Sequence, residues 1–224
     1  MKLTYYGHSS FLIETGGKRI LVDPFFNDDS DVKASDVTCD FVLLTHGHFD
    51  HVTGAAEVAK ANDATIIANF EVMSHFKEKG CNARPLNVGG KIDVDFGRLH
   101  RVVAVHSSSF EDGSYAGISG GYVIKNDEGT LYIAGDTALT MDMQLIPARI
   151  GAVDVAILPI GDVLTMGYED AAVAAEFVHC KTVIGCHFDT FPFIEIDKEA
   201  AHNHFKGAGI DLHLLAVRGE WSLG

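Results

Sequence analysis

Four short apolar runs in this chain stop abruptly at a histidine or an aspartate, and that recurrence limits the possible folds more than any other feature. In FVLLTHGHFDH, residues 41–51, Phe41 to Leu44 form a continuous apolar run of the kind used by strands buried on both faces. His46, His48, Asp50 and His51 follow within six positions. The other runs are RVVAVH, closing on His106, LYIAGD, closing on Asp136, and TVIGCH, closing on His187. Taken singly, an aspartate after glycine is commonly a turn former or helix cap, and a histidine after a strand is commonly a hydrogen-bonded core group. Their shared position shifts the weighing, because ligand sites in α/β sheets lie outside strand ends.

The first cluster has spacing suited to metal binding. His46 and His48 are two apart, which in an extended chain puts both imidazoles on one side, within reach of one ion. Asp50 and His51 precede VTGAAEVAKAN, a helix-compatible stretch, so they sit at a loop-to-helix transition and can point back over the strand end. The pattern differs from the His-Glu-x-x-His motif, whose two histidines need a helix and a four-residue spacing.

Strand-like and helix-like segments alternate along the rest of the chain. KLTYYGHSSFLIET and KRILVDPFF flank Gly16-Gly17 and read as a hairpin, with His8 in its first strand. FVLLT and ATIIANF bracket the first helix candidate. RLHRVVAVHSS, GGYVIKN and TLYIAGDT form a second strand-rich block, with a turn from Asn126 to Gly129. Further helices are expected at roughly 140–150, 168–179 and 196–207. This order predicts a layered α/β sandwich with antiparallel pairs mixed into its sheets. No linker or repeat divides it, so residues 1–224 are expected to form a single domain.

Composition narrows the function. With 224 residues and 47% hydrophobic content the chain can bury a sizeable core without disulfides. A formal charge of −14 argues against nonspecific binding to nucleic acid or to an anionic membrane, which rely on basic patches. No apolar run approaches the roughly 20 residues that span a bilayer. Cys39, Cys81, Cys180 and Cys186 show no paired spacing, and the start of the chain alternates rather than forming a long apolar leader, so the cytoplasm is the expected location.

With these residues in place, the chain resembles the metallo-β-lactamase fold superfamily. The carriers are His46-Gly47-His48-Phe49-Asp50-His51, then His106, the Gly135-Asp136-Thr137 step and His187. More narrowly, YYGHSSFLIE, ILVDPFF, LPIGDVLTMGYEDA and CHFDTFP look like the UPF0173 metal-dependent hydrolases, relatives of ascorbate-6-phosphate lactonase. The resemblance covers nearly the whole chain. It implies a four-layer αββα sandwich and two divalent metal ions, one held by His46, His48 and His106, the other by Asp50, His51 and His187, with Asp136 bridging. Imidazole and carboxylate donors suit zinc first and leave manganese or iron open. Such a pair would lower the pKa of bound water from ~15.7 toward roughly 7, giving a bridging hydroxide as nucleophile, with Asp50 orienting it or receiving its proton. No G-x-S-x-G elbow suggests a serine mechanism.

Two outer residues are weighed beside the ligands. His8 lies in a segment that the resemblance places near the metal mouth, where it could donate a proton or steady an oxyanion; a structural, hydrogen-bonded histidine fits equally. Asp23 could fix the tautomer of a ligand histidine, or start the turn that Pro24 favours. Asp162, Thr165 and Met166 resemble a loop that relatives carry near the pocket. His75, His202 and His204 fall in helix candidates, and His100, His179 and His213 have no partner pattern. Cys186 should point away from His187 into the core.

The leading expectation is a dinuclear hydrolase cleaving a small ester-like bond, a lactone, phosphodiester or thioester, in a small-molecule substrate. The alternatives are a diiron-type redox enzyme, whose relatives usually carry glutamate at the position of His48, and a metal-binding protein without turnover. A homo-oligomer is compatible with the fold, whose members often assemble.

Overall fold

The computed structural model describes residues 1–26 and 30–224. The chain begins with β1 (Lys2–Gly7), β2 (Ser10–Thr15) and β3 (Lys18–Val22). Gly16 and Gly17, at φ 57° and 70°, make the two-residue turn between β2 and β3. The predicted first leg of that hairpin is therefore two strands, not one. His8 sits in the turn between β1 and β2, at φ 54°, rather than within a strand. Gly7, at φ 104°, opens the bend, and a single glycine beside a histidine was not read as its marker.

Next come β4 (Phe41–Leu43), α1 (Phe49–Val52), α2 (Ala55–Asn62), β5 (Thr65–Ala68), α3 (Phe70–Glu78) and β6 (Ala83–Pro85). The chain then forms β7 (Lys91–Val94), β8 (Gly97–Val103), β9 (Gly120–Asn126) and β10 (Gly129–Ile133). It closes with α4 (Leu145–Arg149), β11 (Val155–Pro159), α5 (Tyr168–Phe177), β12 (Thr182–Cys186), α6 (Lys198–Gly207), β13 (Asp211–His213) and β14 (Glu220–Ser222).

Among the described residues the strands form two seven-stranded sheets, ordered β14-β1-β2-β3-β4-β5-β6 and β13-β12-β11-β10-β9-β8-β7. Both are mixed: β3 to β6 run parallel beside an antiparallel β14-β1-β2-β3 meander, and β10 to β13 run parallel beside antiparallel β7 to β10. Period-2 alternation divides each strand between two cores. In β2, Phe11 and Ile13 join Leu99, Tyr122 and Ile157 between the sheets, while Leu12 packs with Val58 and Val72 under α2 and α3. On the other flank Val123, Tyr132 and Ala156 pack against Ala171, Ala175 and Phe205 of α5 and α6. Three apolar layers thus separate helices, sheet, sheet and helices, the αββα sandwich. Cys186 lies in the inter-sheet core, as period-2 alternation requires. Among the described residues no helix is long and apolar enough to cross a membrane.

Candidate metal centre

The site lies where the strands of both sheets run out. β4 stops at Leu43, so His46 and His48 stand on an irregular loop instead of the extended strand their spacing suggested. Asp50 and His51 fall in α1. These four come from the first sheet. His106 and Asp136 lie on the loops after β8 and β10, and His187 directly follows β12, all from the second sheet. Two backbone features hold the halves in register. His187 adopts φ 54°, rare for a residue with a Cβ, and its N–H donates to the His8 carbonyl at 2.9 Å. Gly135 adopts φ 65°, and a Cβ there would stand 2.9 Å from Cβ and Cγ2 of Thr45.

All seven side chains converge. His46 Nε2 is 2.9 Å from His48 Nδ1. Oδ2 of Asp136 lies 3.1 Å from His187 Nε2, 3.3 Å from His51 Nε2, 3.6 Å from His106 Nε2 and 3.9 Å from His46 Nε2. Oδ2 of Asp50 lies 3.6 Å from His51 Nε2 and 3.7 Å from His187 Nε2. Donor atoms of His46, His48 and His106 form one compact group and those of His8, Asp50, His51 and His187 another, while His46, His51 and Asp136 form a third that overlaps both. His46, His51 and His187 are fully buried, whereas His48 and His106 are partly exposed and mark the open side.

The surrounding bonds decide which nitrogens face inward. A carboxylate only accepts, so Asp23 receives the Thr45 N–H on Oδ1 at 2.8 Å, and on Oδ2 the Thr45 hydroxyl at 2.7 Å and His51 Nδ1–H at 2.9 Å. With its hydrogen committed to Asp23, the Thr45 hydroxyl accepts Nδ1–H of His46 at 3.0 Å. Asp23 therefore fixes His51 directly and His46 through Thr45, so that both Nε2 atoms face the centre. The buried Arg101 guanidinium donates to the carbonyls of Leu44 at 3.1 Å and Thr45 at 2.7 Å and to the Tyr122 hydroxyl, bracing the same strand end. His8 reaches Asp50 Oδ2 through Nε2 at 3.0 Å and Thr190 Oγ1 through Nδ1 at 2.9 Å.

Burial opposes charge on every member, and neighbours decide the outcome. It holds His46 well below the usual imidazole range, aided by His51, and it lowers His48, His106 and His8, in the last case against the bond to Asp50. For His51 burial is outweighed by Asp136 and Asp23, which raise it well above its usual range; for His187 contacts with Asp136 and Asp50 outweigh burial and carry it up to about 9. Burial pushes both carboxyls up, yet His51 and His187 hold Asp136, and His187 and His8 hold Asp50, well below the carboxylate range.

These residues fit a metal. Nε2 of His51, Nε2 of His187 and Oδ1 of Asp136 are buried without a hydrogen-bond partner among the described residues. The short distances to Asp136 are misaligned for hydrogen bonding, because the atoms converge on common points rather than on one another. Orphaned buried donors and acceptors of this kind demand a further group, and the nitrogen and oxygen set is that of a divalent ion.

Other residues singled out in the sequence divide cleanly. The loop bearing Asp162, Thr165 and Met166 reaches the site's margin, where Met166 N–H donates to the Thr137 carbonyl at 3.0 Å. His75 stacks on Phe110 with centroids 3.9 Å apart, His204 packs near Tyr168 and His213 near Trp221. His202 and His179 are exposed and His100 is half-buried in β8. Sequence reasoning passed over Thr45, Arg101 and Thr190. Arg101 did carry a signal, as a cation set beside a run of valines.

A two-sheet sandwich with helices on both flanks and a His/Asp cluster at its strand ends defines a metallo-β-lactamase-fold metalloprotein. The family profile described as a beta-lactamase superfamily domain matches residues 2–187. A UPF0173 metal-dependent hydrolase of Christiangramia forsetii is 48% identical over 221 residues, 97% of each chain, and one of Methylacidiphilum infernorum is 44% identical over 222 residues, 97% of this chain and 98% of that one. Among solved structures, Igni18, a metallo hydrolase of the hyperthermophilic archaeon Ignicoccus hospitalis, matches with a TM-score of 0.89 at 31% identity, over 100% of this chain and 99% of that one. The chain belongs to the UPF0173 metal-dependent hydrolases of the beta-lactamase superfamily.

Proposed function

We propose that this hydrolase is dinuclear and cleaves a small ester-like bond, a lactone, phosphodiester or thioester. His46, His48 and His106 would hold one ion, Asp50, His51 and His187 the other, and Asp136 would bridge, with zinc the first choice. The carrying observation is the set of orphaned buried atoms on His51, His187 and Asp136. Bound divalent ions supply a Lewis acid that acidifies water and polarises the scissile bond. The protein's own part is positional. Asp23 and Thr45 hold His51 and His46 with their lone pairs inward. Asp50 Oδ2, at the edge of the cluster, takes the proton of the attacking water, and His8, 3.0 Å away, steadies that carboxylate through the transfer. The water oxygen adds to carbon or phosphorus, the bond to the leaving oxygen or sulfur breaks, and the proton passes from Asp50 to the leaving group.

The test is hydrolysis by one metal-analysed batch, loaded separately with zinc and with manganese, against matched lactone, phosphodiester and thioester substrates, with His187→Ala as control. Two ions per chain and turnover of one bond class that the variant loses would support the reading. Two ions with no turnover of any class would favour a metal-binding protein without hydrolytic activity on such bonds, and one ion per chain would refute the dinuclear assignment.

A further inference from the structure

Three phenylalanines are carried by the segments that carry the candidate site. Phe25 lies two residues after Asp23, Phe49 directly before Asp50, and Phe191 four residues after His187. Their rings meet: Phe25 and Phe49 are 5.8 Å apart between centroids, Phe25 and Phe191 6.4 Å, and Phe49 and Phe191 6.5 Å. His8 closes the group, 5.5 Å from Phe25 and 5.6 Å from Phe191, while its Nε2 touches Asp50. Phe193 stacks on Phe191 at 5.7 Å and 10°.

This aromatic wall is not consumed by the fold. Phe49 is 47% exposed and Phe193 55%, so apolar area stays in water beside the most polar part of the molecule. Behind it a cavity of about 570 Å³ is lined by His8, Phe25, Phe188, Thr190, Phe191 and Val217, among others. That volume lies within the range of about 300–1,000 Å³ typical of small-molecule sites. Among the described residues the charged side chains on its wall are Asp31, Asp189 and Lys198, and the Lys198 ammonium is already taken by Asp189 at 2.7 Å. With its cation paired and an acid left over, the wall repels an anionic group, while the rings favour another ring by edge-to-face or offset contact.

We propose that this cavity is a substrate subsite for an uncharged aryl group, seated against Phe25 and Phe191 while the scissile bond lies at Asp50 and the clustered histidines. The inference rests on the hydrolase reading for its location but not for its chemistry, so binding is tested apart from turnover. The probes are 2-(4-fluorophenyl)ethanol and its anionic analogue 4-fluorophenylacetate, titrated against the metal-loaded protein by fluorine NMR. The alcohol should bind at least fivefold more tightly than the carboxylate, and Phe191→Ala should weaken the alcohol at least fivefold. Phe25→Leu, which keeps apolar volume but removes a ring, should weaken it in the same direction and guards against a misfolded alanine variant. The turnover arm compares phenylacetyl, acetyl and succinyl thioesters: the phenylacetyl compound should lead in kcat/KM by tenfold or more, and Phe191→Ala should cut that lead at least fivefold. Preference for the carboxylate, equal binding by wild type and both variants, or no binding of the alcohol would overturn the subsite. Selective binding of the alcohol without cleavage of any thioester would leave the subsite standing and count against thioester hydrolysis at the metal centre.

Discussion

Replacing Asp23 by asparagine takes one acceptor oxygen from a position on which three donors converge. The Thr45 backbone N–H cannot turn away from Oδ1, so the amide oxygen of the new side chain must face it and the amide NH2 takes the place of Oδ2. That NH2 then meets the Thr45 hydroxyl, which can rotate to accept, and His51 Nδ1, 2.9 Å away, which can accept only by moving its proton to Nε2. The proton then occupies the lone pair aimed at the centre, on the atom 3.3 Å from Asp136 Oδ2. Loss of a partner that orients a ligand histidine costs about 10–100-fold in metal affinity, or ~1.4–2.7 kcal/mol. Exchanging charge-assisted for neutral hydrogen bonds adds a folding cost of about 1–3 kcal/mol. Competition titration against a chelating dye measures the first quantity, and the greater weakening is expected for the ion assigned to Asp50, His51 and His187. Thermal melting of the metal-free protein measures the second. Wild-type affinity for both ions in Asp23→Asn would refute the idea that Asp23 sets the tautomer of His51.

Three further outcomes are expected. Stripping metal with a chelator should lower the melting temperature by about 10–20 °C if two ions were each present at about 100 times their dissociation constants; an unchanged melt would show that the ions do not hold the fold. Zinc loading at pH 7 should release roughly two protons beyond any lost by water, because His187, carried to about 9, and His51, raised well above its usual range, must give theirs up. Titration calorimetry in buffers of different ionisation enthalpy counts those protons, and a count of zero would contradict the charge state derived for the metal-free cluster. Gly135→Ala forces a Cβ into the left-handed region and to 2.9 Å from Thr45, so it should cost about 1–3 kcal/mol in urea unfolding and lower metal content through the shifted His46; a neutral effect on both would remove the reason given for glycine there.

The candidate ligands could be read from the sequence because each one interrupts or ends an apolar run, and burial of those runs leaves the polar residue at a strand end. Asp23 was legible for a similar reason, as the acid between a buried strand and Pro24, although spacing alone did not separate its bond to His51 from a turn-starting role. His8 was misplaced into a strand because the signal for the bend was a lone glycine: Gly7, at φ 104°, opens the turn that His8 continues at φ 54°, with no second glycine or proline to reinforce it. The short strands at Ala83–Pro85, Asp211–His213 and Glu220–Ser222 carry too few residues for a period and exist through pairing with distant partners. The tertiary partners of Arg101 and the meeting of Phe25, Phe49 and Phe191 are long-range events, visible only once the two sheets are folded together.

Each proposed ion draws ligands from both sheets: His46 and His48 are joined by His106, and Asp50 and His51 by His187. Neither half of the chain offers a complete coordination set, so metal capture reports how closely the halves have come together. The centre then serves as a clasp across the seam as well as a place for chemistry. A substitution in the inter-sheet core, far from any ligand, that slides one sheet against the other should register first as lost metal occupancy, before the melting curve of the metal-free protein changes.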